Sequence, residues 1–327
     1  GLGRALLADP DWINKAKAGK GCDIRRCISC NRGCTANIQN RAFVACVLNA
    51  ENGYEETRSI IPAEIKKNVV VIGGGPAGLE AARVAAKKGH KVTLFEKQKR
   101  LGGQLNIADV PPRKREMHRA VQDLVKAAGI EGVTIRLGQA ATITSIIELK
   151  PDAVIVAVGA SSFAPAIAGI DGVNVCDSWK VLSGDQKVSG CVAVIGAGLV
   201  GSETAEYLAE QCCKVLLIEK EDTIAAGISN TVLPTLLENF RTYGVQQFTG
   251  HQVKSIAVNK IICENKEGRE VQIPCDFVVT AIGSRSVIFE TDELTANGIE
   301  VIKVGDCHEV ADISHAIKTG YDAANGI

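Results

Sequence analysis

The sequence predicts an α/β fold built from two Rossmann-like units, the second inserted into the first, behind a cysteine-rich N-terminal segment. Three observations predict it. A strand, glycine turn, helix, strand and acid occur in that order twice, at residues 68–97 and 191–220. A further apolar strand ending in glycine follows each copy, DAVIVAVGA at 152–160 and DFVVTAIGS at 276–284. Four of the 12 cysteines crowd into residues 27–46, upstream of the first copy.

The chain has 327 residues, enough for two or three domains with their own cores. Lys+Arg and Asp+Glu balance at 37 each, which argues against a broad nucleic-acid or anionic-membrane surface. Aromatic residues are 4% of the chain, too few for a base-stacking platform. No apolar run approaches the ~18 residues of a membrane span, and no secretion signal opens the chain. The cysteines outside the cluster follow no regular framework, so a reduced, cytoplasmic protein is expected. The chain starts at Gly1 without a methionine, which reads as processing or as part of a longer protein. A homo-oligomer is left open.

The two copies read NVVVIGGGPAGLEAARVAAKKGHKVTLFEK and CVAVIGAGLVGSETAEYLAEQCCKVLLIEK. Gly73 and Gly196 allow a tight turn. Gly75 and Gly198 let the backbone approach a pyrophosphate. Gly78 and Gly201 let helix and strand pack closely. Free N–H groups at the helix start favour that anion. Glu96 and Glu219, each 23 residues after its first glycine, are placed to accept from a ribose hydroxyl. A carboxylate there also repels a 2′-phosphate, so Glu219 favours NADH over NADPH. The rival reading is a glycine turn with no ligand; two copies in full context argue against it. The closing stretch VIKVGDCHEVADISHAIKTG has no counterpart after the first copy, so the chain is expected to return to the first unit.

The cysteine spacing is C-x2-C-x3-C-x11-C: Cys27, Cys30, Cys34 and Cys46. Four thiolates suit a [4Fe–4S] cluster. A structural zinc site also takes four cysteines, but more often through two C-x2-C knuckles, and only one occurs here. A redox dithiol at Cys27 and Cys30 is a third reading, although no cysteine follows Glu96 in its loop. Arg25, Arg26 and Arg32 are expected to offset an anionic cluster, and Gly33 to ease the tight path. Cys212, Cys213 and Cys307 read as packing. Residues 113–128 read as a solvated amphipathic helix. The five histidines show no metal-ligand spacing.

GGGPAG at 73–78, Glu96, LGGQ at 101–104 and GD at 305–306 resemble the FAD domain of two-dinucleotide flavoproteins, and the second copy resembles their NAD(P)H domain. GLGRALLADPDW, the cysteine cluster and GGQLNIADVPPRKREM resemble one branch, the 2,4-dienoyl-CoA reductase, 2-enoate reductase and trimethylamine dehydrogenase group. The resemblance implies FAD on Gly73, Gly75, Pro76, Ala77, Gly78, Glu96 and Lys97, and on Gly103, Gln104, Gly159, Gly305 and Asp306. It implies NADH on Gly196, Gly198, Leu199, Val200, Gly201, Glu219 and Gly283. It implies a cluster on the four cysteines and an acid, Glu203, facing the flavin–nicotinamide junction; the bland reading of Glu203 is a first-turn acid favoured by the helix dipole. Residues 1–26 then read as the end of a flavin-binding barrel in which Gly3 and Arg4 help hold FMN, with that barrel as the partner of the module. Residues 27–65 form the iron–sulfur segment, 66–166 and 285–327 the FAD domain, and 167–284 the NAD(P)H domain. The implied function is NADH-dependent electron input to an enoate or dienoyl-CoA reductase. The other class is an ADP-binding structural module of an amine dehydrogenase.

Overall fold

The computed structural model describes residues 1–327. After short helices at Gly3–Ala8, Trp12–Lys17 and Thr35–Gln39, the first unit runs through β1 (Asn68–Ile72), helix α1 (Pro76–Lys87), β2 (Lys91–Glu96), helix α2 (Glu116–Ile130), β3 (Thr134–Leu137) and β4 (Ala153–Val156). Then come β5 (Val175–Asp177), β6 (Cys191–Ile195), helix α3 (Leu199–Glu210), β7 (Lys214–Ile218), helix α4 (Leu233–Tyr243) and β8 (Gln246–Phe248). The strands β9 (Gln252–Ala257), β10 (Lys260–Glu264), β11 (Glu270–Pro274) and β12 (Phe277–Thr280) follow, and β13 (Glu300–Lys303) and helix α5 (Ile313–Gly326) close the chain. No helix is long and apolar enough to cross a membrane.

The chain divides into two compact units. One comprises residues 1–106, 116–161 and 285–327; the other comprises 107–115 and 162–284. The first holds a parallel sheet in the order β13-β4-β1-β2-β3. Its central strand reads Val-Val-Val-Ile and is buried on both faces, as a sheet covered by helices requires. The second holds a parallel sheet in the order β5-β12-β6-β7-β8, plus an antiparallel meander β9-β10-β11.

The duplication survives at the level of register. In the first sheet Val69 to Ile72 pair with Ala153 to Val156; in the second Val192 to Ile195 pair with Phe277 to Thr280. The edge strand differs in origin. It comes from the end of the chain in the first unit, through β13, and from before the repeat in the second, through β5.

Helix α1 lies against α5. The first is rich in small residues, and Leu79, Ala81, Ala82, Val84 and Ala85 are fully buried. Gly320 sets how closely α5 approaches, since a Cβ there would stand 2.2 Å from the carbonyl oxygen of Ala77. Helix α2 begins at Glu116, not at 113: Arg113 takes a left-handed φ of 62°, which a right-handed helix does not accommodate. Arg113 and Lys114 therefore sit in a loop and are not on the solvated helix expected from their sequence.

Gly320→Ala should destabilise the first unit by roughly 1–3 kcal/mol, the usual cost of overpacking against backbone. A urea unfolding curve showing an unchanged midpoint would contradict this packing.

Candidate functional site

Each glycine turn is built by the same set of bonds. The Gly73 N–H donates to the Phe95 carbonyl at 2.8 Å, and the Gly196 N–H to the Ile218 carbonyl at 2.9 Å. One carboxylate oxygen of Glu96 accepts from the Gly74 N–H at 2.7 Å and the other from the Gln98 N–H at 2.7 Å. Glu219 repeats this with the Ala197 N–H at 2.7 Å and the Glu221 N–H at 3.0 Å. The acids thus hold their own turns, and each oxygen retains a lone pair for a ribose hydroxyl. The next loop also folds back identically: the Gly102 N–H donates to the Gly74 carbonyl at 2.8 Å, and the Ala225 N–H to the Ala197 carbonyl at 2.6 Å.

The three glycines of each turn have separate roles. Gly73 and Gly196 take φ of 106° and 92°, which side chains resist. A Cβ on Gly78 would lie 1.9 Å from the Gly73 oxygen, and on Gly201 1.8 Å from the Gly196 oxygen. At Gly75 the nearest atom to an added Cβ is 3.9 Å away, and at Gly198 nothing lies within 4 Å. The middle glycine is therefore the open face over the start of α1 or α3, where a pyrophosphate fits. Pro76 and Ala77 form the first turn of α1; Leu199 and Val200 form that of α3. Lys97 is exposed just past β2.

The first unit adds a closure that the second lacks. Gly103 stands against Gly75, where a Cβ would meet its Cα at 3.0 Å. The Gln104 side-chain amide donates to Asp306 at 3.0 Å, and Asp306 also accepts the Ala311 N–H at 3.2 Å. The Gly159 carbonyl accepts from the Val287 N–H at 3.0 Å. In the second unit the Gly283 carbonyl accepts from the Phe163 N–H at 3.0 Å. Cys307 is core: its buried thiol faces the carbonyls of Val156 and Val304 at 3.0 and 3.1 Å. Cys213 is likewise buried, beside the Val188 carbonyl.

Cys27, Cys30, Cys34 and Cys46 line one small pocket together with Arg4 and Leu7. Left-handed Ser29 and Asn31, with φ of 54° and 56°, wind the chain between the first three thiols. Gly33 meets Ala45: a Cβ would stand 2.7 Å from the Ala45 oxygen, and the Ala45 N–H donates to the Gly33 carbonyl at 2.8 Å. That contact brings Cys46 back to the other three. The Ser29 N–H points at the Cys27 sulfur at 3.4 Å, and N–H groups of Arg32 and Leu48 point at the Cys30 and Cys46 sulfurs. Burial raises the Cys30 and Cys46 thiols, with neighbouring sulfurs adding and the N–H groups opposing. No three Cys, His, Asp or Glu side chains converge tightly enough to hold a single metal ion.

Arg25, Arg26 and Arg32 do not present free charge to the pocket. Arg25 donates to the Leu48 carbonyl at 2.6 Å and lies 4.0 Å from buried Glu80, which Arg83 also holds. Arg26 grips Asp123 on α2, and Arg32 pairs with Asp312 at 2.8 Å. The expected role as counter-charges is corrected: they are staples, each matched by a carboxylate. Burial pushes the Glu80 carboxyl up, but Arg83 and Arg25 outweigh it and leave it lowered.

Glu203 lies in the first turns of α3, paired with Lys114; Glu206, one turn on, is paired with Arg113. These basic partners were missed in the sequence, where they read as part of a helix; the double proline before them was the available signal.

A chain with two such turns, one closed by its own loop, defines the class of two-dinucleotide α/β oxidoreductases. A family model described as pyridine nucleotide-disulphide oxidoreductase matches residues 67–313, and the chain belongs to that family of NAD(P)H-dependent flavoprotein oxidoreductases. It is 53% identical to a bilirubin reductase of Mediterraneibacter gnavus over 99% of this chain and 51% of that one. It is 40% identical to an NADH oxidase of Thermoanaerobacter brockii, again over 99% and 51%. A solved 2-naphthoyl-CoA reductase complex superposes with a TM-score of 0.91 at 30% identity, over 99% of this chain and 50% of that one. The chain thus spans about half the length of the relatives it matches.

The Glu203 carboxyl is raised, chiefly by burial, with Lys114 opposing and the Glu206 charge adding. A raised carboxyl favours folding fully below its ordinary value of 4.5 and progressively less as pH rises through its folded value. From pH 4.5 upward, wild type should therefore lose stability relative to Glu203→Gln. Parallel pH profiles of thermal midpoint would contradict this.

Proposed function

We propose that the chain is the NADH-dependent electron-input module of an enoate- or dienoyl-CoA-type reductase. The observation that carries this is the twice-built glycine turn with its carboxylate lock, closed by Gln104 and Asp306 in the first copy only. The first turn suits FAD, whose long ribityl and ring portion needs the extra closure. The second suits NADH, and the four thiolates suit a [4Fe–4S] cluster. Bound there, these groups supply hydride acceptance and single-electron transfer, chemistry that side chains lack.

The protein residues bind and orient. Gly75 and Gly198 leave room for pyrophosphate at the starts of α1 and α3. Glu96 and Glu219 hold their turns and offer lone pairs to a ribose. Glu219 stands at the end of β7, where its carboxylate disfavours a 2′-phosphate, while the nearby Glu221 and Asp222 are paired with Lys220 and Lys266. The four thiols line one pocket, with N–H groups aimed at three of the sulfurs. The single C-x2-C knuckle among them favours an iron–sulfur cluster over one zinc ion. Free thiols in this number suit a reduced, cytoplasmic setting.

In the longer relatives the remaining half would supply the substrate site; we place an FMN-binding barrel there. The matched relatives are named for bilirubin and 2-naphthoyl-CoA, so one input half serves different substrates. The second reading, an ADP-binding structural module of an amine dehydrogenase, is disfavoured by the open second turn and by the closure at Asp306.

FAD-loaded protein should reduce an artificial dye with NADH. Glu219→Gln keeps an acceptor for the Ala197 N–H but removes the charge, and should cut the NADH-over-NADPH preference in kcat/KM roughly tenfold. No dye reduction by FAD-loaded wild type would overturn the reading.

A further inference from the structure

We propose that Arg32 and Asp312 are positioning residues that couple the cysteine pocket to the flavin-holding end of the first unit. This rests on FAD occupying the first turn. Asp312 is the N-cap of α5: one carboxylate oxygen accepts the His315 N–H at 2.9 Å, and the other faces the Arg32 guanidinium at 2.8 Å. Arg32 lies between Cys30 and Cys34, and its own N–H is aimed at the Cys30 sulfur. The next residue of the helix, Ile313, packs, as Cys30 and Cys46 do, against the small core of Ile28, Leu48 and Ala120. The first turn of α5 therefore holds the cysteine loop through one ion pair and one apolar contact.

The same helix holds the residues expected to touch flavin. The Thr319 hydroxyl accepts the Gly305 N–H at 2.9 Å, and Asp306 accepts the Ala311 N–H at 3.2 Å just before the helix begins. Asp306 in turn takes the Gln104 amide. Whatever seats Asp306 seats α5, and whatever seats α5 seats the Cys30–Cys34 turn. The Arg32 and Asp312 side chains remain 46% and 31% exposed, so the pair adds little to stability. What it does is join two sites through one rigid element, and such coupling is reciprocal. The Arg26 staple runs to Asp123 on α2, a helix that carries none of these residues, and serves as the comparison.

The test is alkylation of the metal-free, reduced 327-residue chain with iodoacetamide, read at Cys30 and Cys34 by mass spectrometry with and without saturating FAD. FAD should slow alkylation of wild type roughly fivefold. In Arg32→Gln and Asp312→Asn that protection should disappear, while Arg26→Gln retains it. Asn at 312 still caps the helix, so its effect reports the ion pair and not fraying. Protection that is absent in wild type, or unchanged in both variants, overturns the coupling. Flavin fluorescence in the same samples reports binding: wild type that binds no FAD overturns the FAD reading itself, a distinguishable result.

Discussion

A carboxylate at the end of a parallel strand, accepting an N–H from the glycine turn beside it, is the constraint on which the rest of this structure depends. Glu96 does this for Gly74 and Glu219 for Ala197. Hydrogen bonds to an ionised acceptor contribute about 1.5–3 kcal/mol each, roughly twice a neutral one. Each lock fixes a turn whose first glycine is left-handed and whose third touches the first. With both fixed, the middle glycine stands clear at the start of a helix, fully open at Gly198 and beside Gly103 at Gly75. The backbone alone leaves an opening suited to an anion, and the acid beside it keeps lone pairs that a sugar hydroxyl could use. The same local device used twice gives the chain two sites for related ligands, which differ only in what closes over them.

The cysteine segment obeys a different logic. It has little regular structure and a small core of Ile28, Leu48 and Ala120. Its shape comes from left-handed residues between the thiols, from the Gly33–Ala45 approach, and from three arginines that reach carboxylates on α1, α2 and the start of α5. Buried Glu80 and Arg83 show the cost of such stapling: each would be a severe burden alone, and together with Arg25 they are satisfied. The pocket is thereby attached to the helices that also frame the first dinucleotide turn.

What was legible in the sequence was what is local or repeated. The turns and their acids lie within one strand–helix–strand unit, and the second copy confirms the spacing of the first. Long-range pairing was not legible. Arg32 and Asp312 are 280 positions apart, and nothing in either neighbourhood names the other. Arg113 and Lys114 looked helical because charge periodicity continued through them, yet Arg113 is left-handed and the helix starts only at Glu116. The meander β9-β10-β11 went unread because its strands are only five or six residues long, although EVQIP alternates cleanly. The edge strand β5 was hidden because it precedes the repeat it joins.

That one chain holds sites for a flavin, a nicotinamide and a four-thiolate cluster is the proposal at stake. Its most direct test is the visible spectrum of anaerobic protein reconstituted with FAD, iron and sulfide, followed during NADH addition. The account predicts flavin bands near ~450 nm over a broad iron–sulfur shoulder, both bleached by NADH. Flavin bands that NADH leaves untouched, or a protein that takes up neither chromophore, would contradict it.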